Sequence, residues 1–190
     1  MAQAYIKDTT FEQEMYLEDP LPQGEYENCI FSSCIFTNSS LNGSQFTNCK
    51  FESCDLSMVS IVQTAFRGVS FKSCKMLALQ FDTCNHFLLA VNFEECILHM
   101  ANFYDANLAD SSFKRCSLVE VDFTQTNLAG VTLDACDCSG ATFDHTNLKG
   151  ADFSTAKGFI IDPGKNAVKG AKFSHEGLPG LLMSFGIEIV

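Results

Sequence analysis

From Tyr26 to Phe153 a large apolar residue recurs every fifth position, and no ordinary secondary structure has that period. The beat runs through Tyr26, Phe31, Phe36, Leu41, Phe46, Phe51, Leu56, Ile61, Phe66, Phe71, Met76 and Phe81. After one slip it resumes at Phe93, Leu98, Phe103, Leu108, Phe113, Leu118, Phe123, Leu128, Leu133, Cys138, Phe143, Leu148 and Phe153. Two positions before each beat sits Cys, Ala, Ser, Thr, Val or Gly, with Leu79 the bulkiest exception. A helix repeats every ~3.6 residues and a strand every ~2, so a chain with this beat must turn a corner at each repeat.

A longer period contains the first. Cys34, Cys54 and Cys74 are spaced by twenty residues, as are Cys96, Cys116 and Cys136, while Cys74 and Cys96 are twenty-two apart. A two-residue insertion within residues 84–90 brings all six cysteines into one column. The same correction aligns Phe31, Phe51, Phe71, Phe93, Phe113, Leu133 and Phe153. Leu88 is the expected substitute for the beat lost at the slip. Twenty residues per coil, five to a side, describe a four-sided coil. The large and the small residue of each repeat point inward, and coils stack like on like, as close packing demands. The fold class is therefore all-β, a four-sided β-helix.

Ten cysteines in a small chain invite a disulfide reading. Nine of them occupy the small inward position and Cys138 a large one, so their placement selects small buried hydrophobes. No CxxC pair or histidine cluster completes a metal or redox site. The start of the chain has no apolar signal segment, and the longest apolar run, Phe87 to Val91, is too short to cross a bilayer. The expected location is cytoplasmic, where thiols stay reduced.

Formal net charge is −11, with fifteen acids against seven bases over residues 24–155. Such a chain is repelled by nucleic acid and by anionic membranes and attracted to basic surfaces. Neither direct nucleic-acid binding nor membrane binding is expected. The outward acids of the C-terminal coils, Glu120, Asp122, Asp134, Asp137, Asp144 and Asp152, are the candidate partner contacts.

Three segments follow. Residues 1–23 form an N-terminal cap in which Phe11 and Tyr16 keep the phase. Residues 24–155 form the coils, seven or so in number. Residues 156–190 form a C-terminal module in which Ala171–Ser174 resembles a last repeat. Leu178, Leu181, Leu182 and Phe185 then fall on one face of a short α-helix that begins at Ser174 or Glu176 and ends at Gly186. Ile187 to Val190 is expected to close the chain as a strand.

Ala101-Asn102-Phe103-Tyr104-Asp105, Ala106-Asn107-Leu108-Ala109-Asp110 and Ala151-Asp152-Phe153-Ser154-Thr155 match A(D/N)LXX, and the chain resembles the pentapeptide-repeat family. That resemblance implies a right-handed quadrilateral β-helix. Gly170-Ala171-Lys172-Phe173 followed by Gly180-Leu181-Leu182-Met183-Ser184-Phe185-Gly186-Ile187 is similar to the C-terminal module of the Qnr and MfpA proteins. Likeness to that group implies a homodimer joined through Leu178, Leu181, Leu182, Phe185 and Ile187. It also implies a DNA-mimicking rod that binds DNA gyrase or topoisomerase IV and modulates quinolone action. The chain lacks the long projecting loops of the larger Qnr members, so the loopless MfpA-like arrangement is the closer comparison. The alternative is a structural or protein-interaction scaffold with an unrelated partner.

Enzymatic motifs are missing. There is no Gly-rich phosphate loop, HExxH or GxSxG, and His86, His99, His145 and His175 are scattered. No catalytic residue, metal ligand or cofactor is expected. Asn107, Asn127 and Asn147 stack at one corner and are expected to form an amide ladder that serves stability.

Overall fold

The computed structural model describes residues 4–17 and 19–188. The chain forms a right-handed, four-sided parallel β-solenoid of about eight turns with one short C-terminal helix. Its strands are β1 Ala4–Lys7, β2 Thr10–Glu12, β3 Gly24–Glu27, β4 Ile30–Ser32, β5 Gln45–Thr47, β6 Lys50–Glu52, β7 Ala65–Lys72, β8 Asn85–Glu94, β9 Ser112–Lys114, β10 Leu133–Asp134, β11 Asp152–Phe153 and β12 Lys172–Phe173. The helix is α1, Leu178–Leu182.

All pairings are parallel and advance one coil at a time. On the first side β1, β3, β5 and β7 pair in succession, and on the second β2, β4, β6, β7, β8, β9 and β10 do so. The third and fourth sides are held by single bridges, such as Met15 to Ile35 to Asp55 to Lys75 and Gln80 to Asn102 to Asp122 to Thr142. Corners come from left-handed residues at the second position after the beat, with φ between 50° and 58° at twenty non-glycine positions. An L-residue there costs ~1–2 kcal/mol. Inter-coil hydrogen bonds, such as Asn38 N–H to Ser57 O at 3.2 Å and Asp105 N–H to Thr124 O at 3.1 Å, hold it in place.

Inward residues meet in two ways. Along a side they stack, as Phe31 on Phe51 with centroids 4.7 Å apart and planes 9° apart. Across a corner they meet edge to face, as Phe31 against Phe46 at 6.0 Å and 74°. Full burial of each such ring contributes ~1.5–3 kcal/mol. All ten cysteines are buried. Within the six-cysteine column, each thiol of Cys34, Cys54, Cys74 and Cys96 donates to a backbone carbonyl one coil back.

Several boundaries differ from the sequence expectation. The segment set apart as a cap already carries coil register, because Ala4 pairs with Gly24 and Phe11 stacks on Phe31 at 4.7 Å. At the other end Phe173 stacks on Phe153 at 5.5 Å, so the coil runs on beyond residue 155. Together these extensions lengthen the rod from seven coils to about eight.

The insertion is absorbed as a bulge in β8, where register changes between Ala65 and Val69. Leu88 does not restore the beat: it is exposed with φ 58°, and Leu89 is the leucine that turns into the buried cluster. Two extra residues must leave the wall to keep both flanking ladders in register, and Phe87 and Leu88 are the pair expelled. Arg67 lies over the Phe87 ring at 6.0 Å from its centroid.

The helix is shorter than expected. It begins after Gly177, not at Ser174 or Glu176, and after five residues tightens to a 3₁₀ turn over Met183–Phe185 that ends at Gly186, φ 64°. Ile187 and Glu188 form no strand, and the last two residues of that expected strand lie outside the described residues.

Candidate functional site

The six acids singled out in the sequence are distributed over three sides. Asp134 in β10 and Asp152 in β11 lie on the second side, and Asp137 lies on the third, bridged to Ser117 and Lys157. Glu120 sits at the corner of the third and fourth sides, its chain laid over Gly140. Only Asp122 and Asp144 share the fourth side, linked through Gln125 N–H to Asp144 O at 2.9 Å and the bridge from Asp122 to Thr142.

Several of these carboxylates already serve the corners. Asp122, Asp137 and Asp152 each accept the N–H two residues on, from Thr124 at 2.8 Å, Ser139 at 3.1 Å and Ser154 at 2.9 Å. Asp137 also faces Lys157 at 3.4 Å, and Asp152 faces Lys172 at 3.4 Å. Hydrogen bonds from Ser139, then the Lys157 charge, hold the Asp137 carboxyl below the usual carboxylate range. Ser154 and then Lys172 do the same for Asp152. These two acids are locally neutralised, whereas Asp122 has no cation within ion-pair distance among the described residues.

Two acids that sequence reasoning passed over complete the fourth side. Asp82 lies there with Asp122 and Asp144, and Asp105 stands at the left-handed corner where the fourth side turns into the first, so that four successive coils carry one carboxylate each. Among residues 80–83, 102–105, 122–125 and 142–145 there is no Lys or Arg, and His145, 3.1 Å from Asp144, is the sole titratable base. The five-residue phase puts Asp82 and Asp144 at one outward position, directly after the beats Phe81 and Phe143, whereas Asp105 and Asp122 occupy other columns. The second side is different: Lys72, Glu94, Glu95, Lys114 and Arg115 alternate there and pair with one another.

The C-terminal end presents apolar surface. Glycine lets α1 lie against Phe159: a Cβ on Gly180 would run into the Phe159 carbonyl oxygen, and one on Gly177 would stand 2.5 Å from its ring. Ile161 N–H donates to Gly180 O at 3.0 Å and ties the helix to the coil. Leu181 packs on the core, and Leu182 is half-buried. Leu178, Phe185 and Ile187 are exposed, and Ile160 and Met183 join them. The expected single helical face is thus split, because the 3₁₀ turn rotates Phe185 away from Leu181.

The Asn ladder is present. Asn127 donates to Asn107 Oδ1 and Asn147 to Asn127 Oδ1, both at 2.8 Å. Among the described residues no group of three or more His, Cys, Asp or Glu is placed to hold a metal ion, and no helix is long and apolar enough to cross a membrane.

Comparison with known proteins places these features in context. Family models described as "Pentapeptide repeat region" and "Pentapeptide repeats (8 copies)" match residues 86–157 and 27–57, together just over half of the chain. Among solved structures, a trypsin-treated variant of QnrB1, a plasmid-mediated fluoroquinolone resistance protein, aligns over 100% of both chains with TM-score 0.56 and 19% identity. HetL of the cyanobacterium Nostoc sp. strain PCC 7120, involved in heterocyst differentiation regulation, aligns over 86% of this chain and 73% of its own with TM-score 0.40 and 16% identity. No curated protein matches the sequence.

Proposed function

This chain is a pentapeptide-repeat protein, and from that premise we propose that it is a non-enzymatic binding protein whose fourth side imitates DNA phosphates for a type II topoisomerase, DNA gyrase or topoisomerase IV. The observation that carries this reading is the run Asp82, Asp105, Asp122 and Asp144 on successive coils with no Lys or Arg among them. Coils repeat every ~4.8 Å, and phosphates along one DNA strand every ~3.4 Å. The side therefore offers a band of negative charge, one carboxylate per coil staggered across its width, of the right sign and of lower density than a phosphate strand. A net charge of −11 steers it toward a basic DNA-binding groove and away from DNA itself. QnrB1, of the same fold, is by its description a fluoroquinolone resistance protein, which makes a topoisomerase the partner to test.

The exposed Leu178, Met183, Phe185 and Ile187 at the C-terminal end suit a twofold contact with a second copy. Such a homodimer joins two acidic sides into a rod of roughly 75 Å at the same coil spacing. The protein acts in the cytoplasm and needs no cofactor or metal. Asp134, Asp137 and Asp152 contribute less than the fourth-side acids, since the latter two are paired with lysines.

The test is DNA supercoiling by purified gyrase with added protein, with and without a fluoroquinolone. The expected result is a dose-dependent change in supercoiling at micromolar protein. Asp122→Lys with Asp144→Lys should weaken it by about tenfold, equivalent to ~1.4 kcal/mol, and Asp137→Asn far less. Unchanged supercoiling at tens of micromolar wild-type protein, in both arms and with topoisomerase IV as well, refutes the reading.

A further inference from the structure

We propose that the corner between the third and fourth sides is a docking strip for a basic amphipathic helix of another protein, lying along the coil axis. Six apolar residues define it: Met58, Val62, Leu77, Ile97, Met100 and Tyr104. All but the half-buried Leu77 are exposed, Met58 at 56% and Met100 at 52%. The ladder sets them on neighbouring coils: Met58 N–H donates to Leu77 O and Met76 N–H to Ile97 O, while Ala78 stands between Met58 and Met100 in the corner row and Asp82 between Val62 and Tyr104 on the fourth side. A patch of exposed apolar residues gathered on three neighbouring coils marks an interaction site, whereas scattered single residues do not.

The backbone adds an independent argument. Met58 and Met100 stand at left-handed corners, φ 55° and 58°, in a row whose other members include Asn38 and Gly140. Asn and glycine tolerate that conformation best. Unbranched methionine at the strained, outward position gives no packing benefit to the coil, but it supplies the adaptable apolar contact that peptide-binding surfaces use.

The charge at the strip decides its occupant. Asp82 lies between Val62 and Tyr104 in the coil order, Asp105 follows Tyr104, and Glu120 continues the corner row. Along the corner row from Asn38 to Gly140 and the fourth side that flanks it there is no Lys or Arg; Lys75, in register with Ile97, is 3.5 Å from Asp55 and paired with it. A partner with apolar residues on one face and Lys or Arg on the flank toward the fourth side therefore fits. Spacing agrees with a helix: two coils advance ~9.6 Å, and one helical heptad about 10.5 Å. Anchors one heptad apart thus meet Met58 and Met100. A shallow depression lined by Met58, Val62, Ala78, Gln80 and Thr83 lies beside the first of them. The strip requires no topoisomerase, and a gyrase assay without effect leaves it standing.

The experiment titrates the full chain, labelled with ¹³C at its methionine methyls, with a Leu–Lys amphipathic peptide of about five turns. A scrambled peptide of the same composition and a Leu–Glu counterpart serve as comparisons. The Met58 and Met100 signals should shift with the Leu–Lys peptide, while buried Met76 and Met183 at the far end stay in place. Met58→Asn with Met100→Asn, which suits the left-handed corners and keeps the fold, should weaken binding tenfold or more. Absence of binding, equal binding of the scrambled peptide, shifts confined to Met183, or unchanged affinity in the double variant overturns the proposal.

Discussion

Phe71 and Phe93 are separated by twenty-two residues, yet their rings stack with centroids 5.3 Å apart and planes 12° apart, like pairs separated by the regular twenty. The aromatic column thus crosses the insertion unbroken, because the extra residues leave the wall before β8 rejoins register at Val91. Phe93 then stacks on Phe113 at 5.1 Å. Phe93→Ala removes the ring from both neighbours and leaves a closed cavity, so it should cost ~3–5 kcal/mol in equilibrium denaturation. A loss below ~1 kcal/mol would show that the column is not cooperative packing.

Deleting His86 and Phe87 restores the twenty-residue spacing and turns Leu88 inward as an ordinary repeat. Loop length has a weak effect on stability, and the deleted pair contributes little to the core, Phe87 being 68% exposed and His86 half-buried outside the hydrophobic cluster. The shortened chain should fold with stability within about 1 kcal/mol of the parent, the closure effect being of that order. Failure to fold would mean that the bulge itself is required by the coils that flank it.

The buried thiols make the protein sensitive to alkali. Burial pushes Cys49 up to about 11, and Cys84 and Cys138 to about 12. In the unfolded chain these thiols ionise near ~8.5. Folded pKa values are raised, so the contribution is fully present below the unfolded value and is lost as pH rises toward about 11 to 12. Each thiol adds a slope of ~1.4 kcal/mol per pH unit in that window. Denaturant midpoints under reducing conditions should be level from pH ~7 to 8 and fall above ~9. Cys138→Ala should make the fall shallower by one thiol's share. A flat profile to pH ~10.5 would contradict the burial argument.

Phe185→Asp should convert a dimer to a monomer in light scattering and leave the coil's circular dichroism and melting unchanged, because the ring is 63% exposed. Gly180→Ala should produce the same loss of assembly from a distance by pressing α1 off Phe159. A monomeric parent, or a Phe185→Asp protein that still dimerises, would remove the C-terminal end from the interface.

The five- and twenty-residue periods alone determined the four sides, the contents of each inward column and the burial of the cysteines, since a solenoid turns sequence spacing directly into contact between coils. They also put Asp82 and Asp144 at the same outward position after the beat, with Asp105 and Asp122 in other columns. Tertiary structure decided what has no neighbour at fixed spacing. At the insertion it was Leu89 that went inward and Leu88 outward, because two flanking ladders had to be satisfied together. At the C-terminal end the approach of Gly177 and Gly180 to Phe159 set the helix and divided its apolar residues between core and surface. The pairing of Asp137 with Lys157 and Asp152 with Lys172 likewise depended on how far the coil ran past residue 155, which places each lysine one coil beyond its partner. Periodic sequence specifies periodic contacts, whereas interruptions and ends are resolved only by the packing of everything around them.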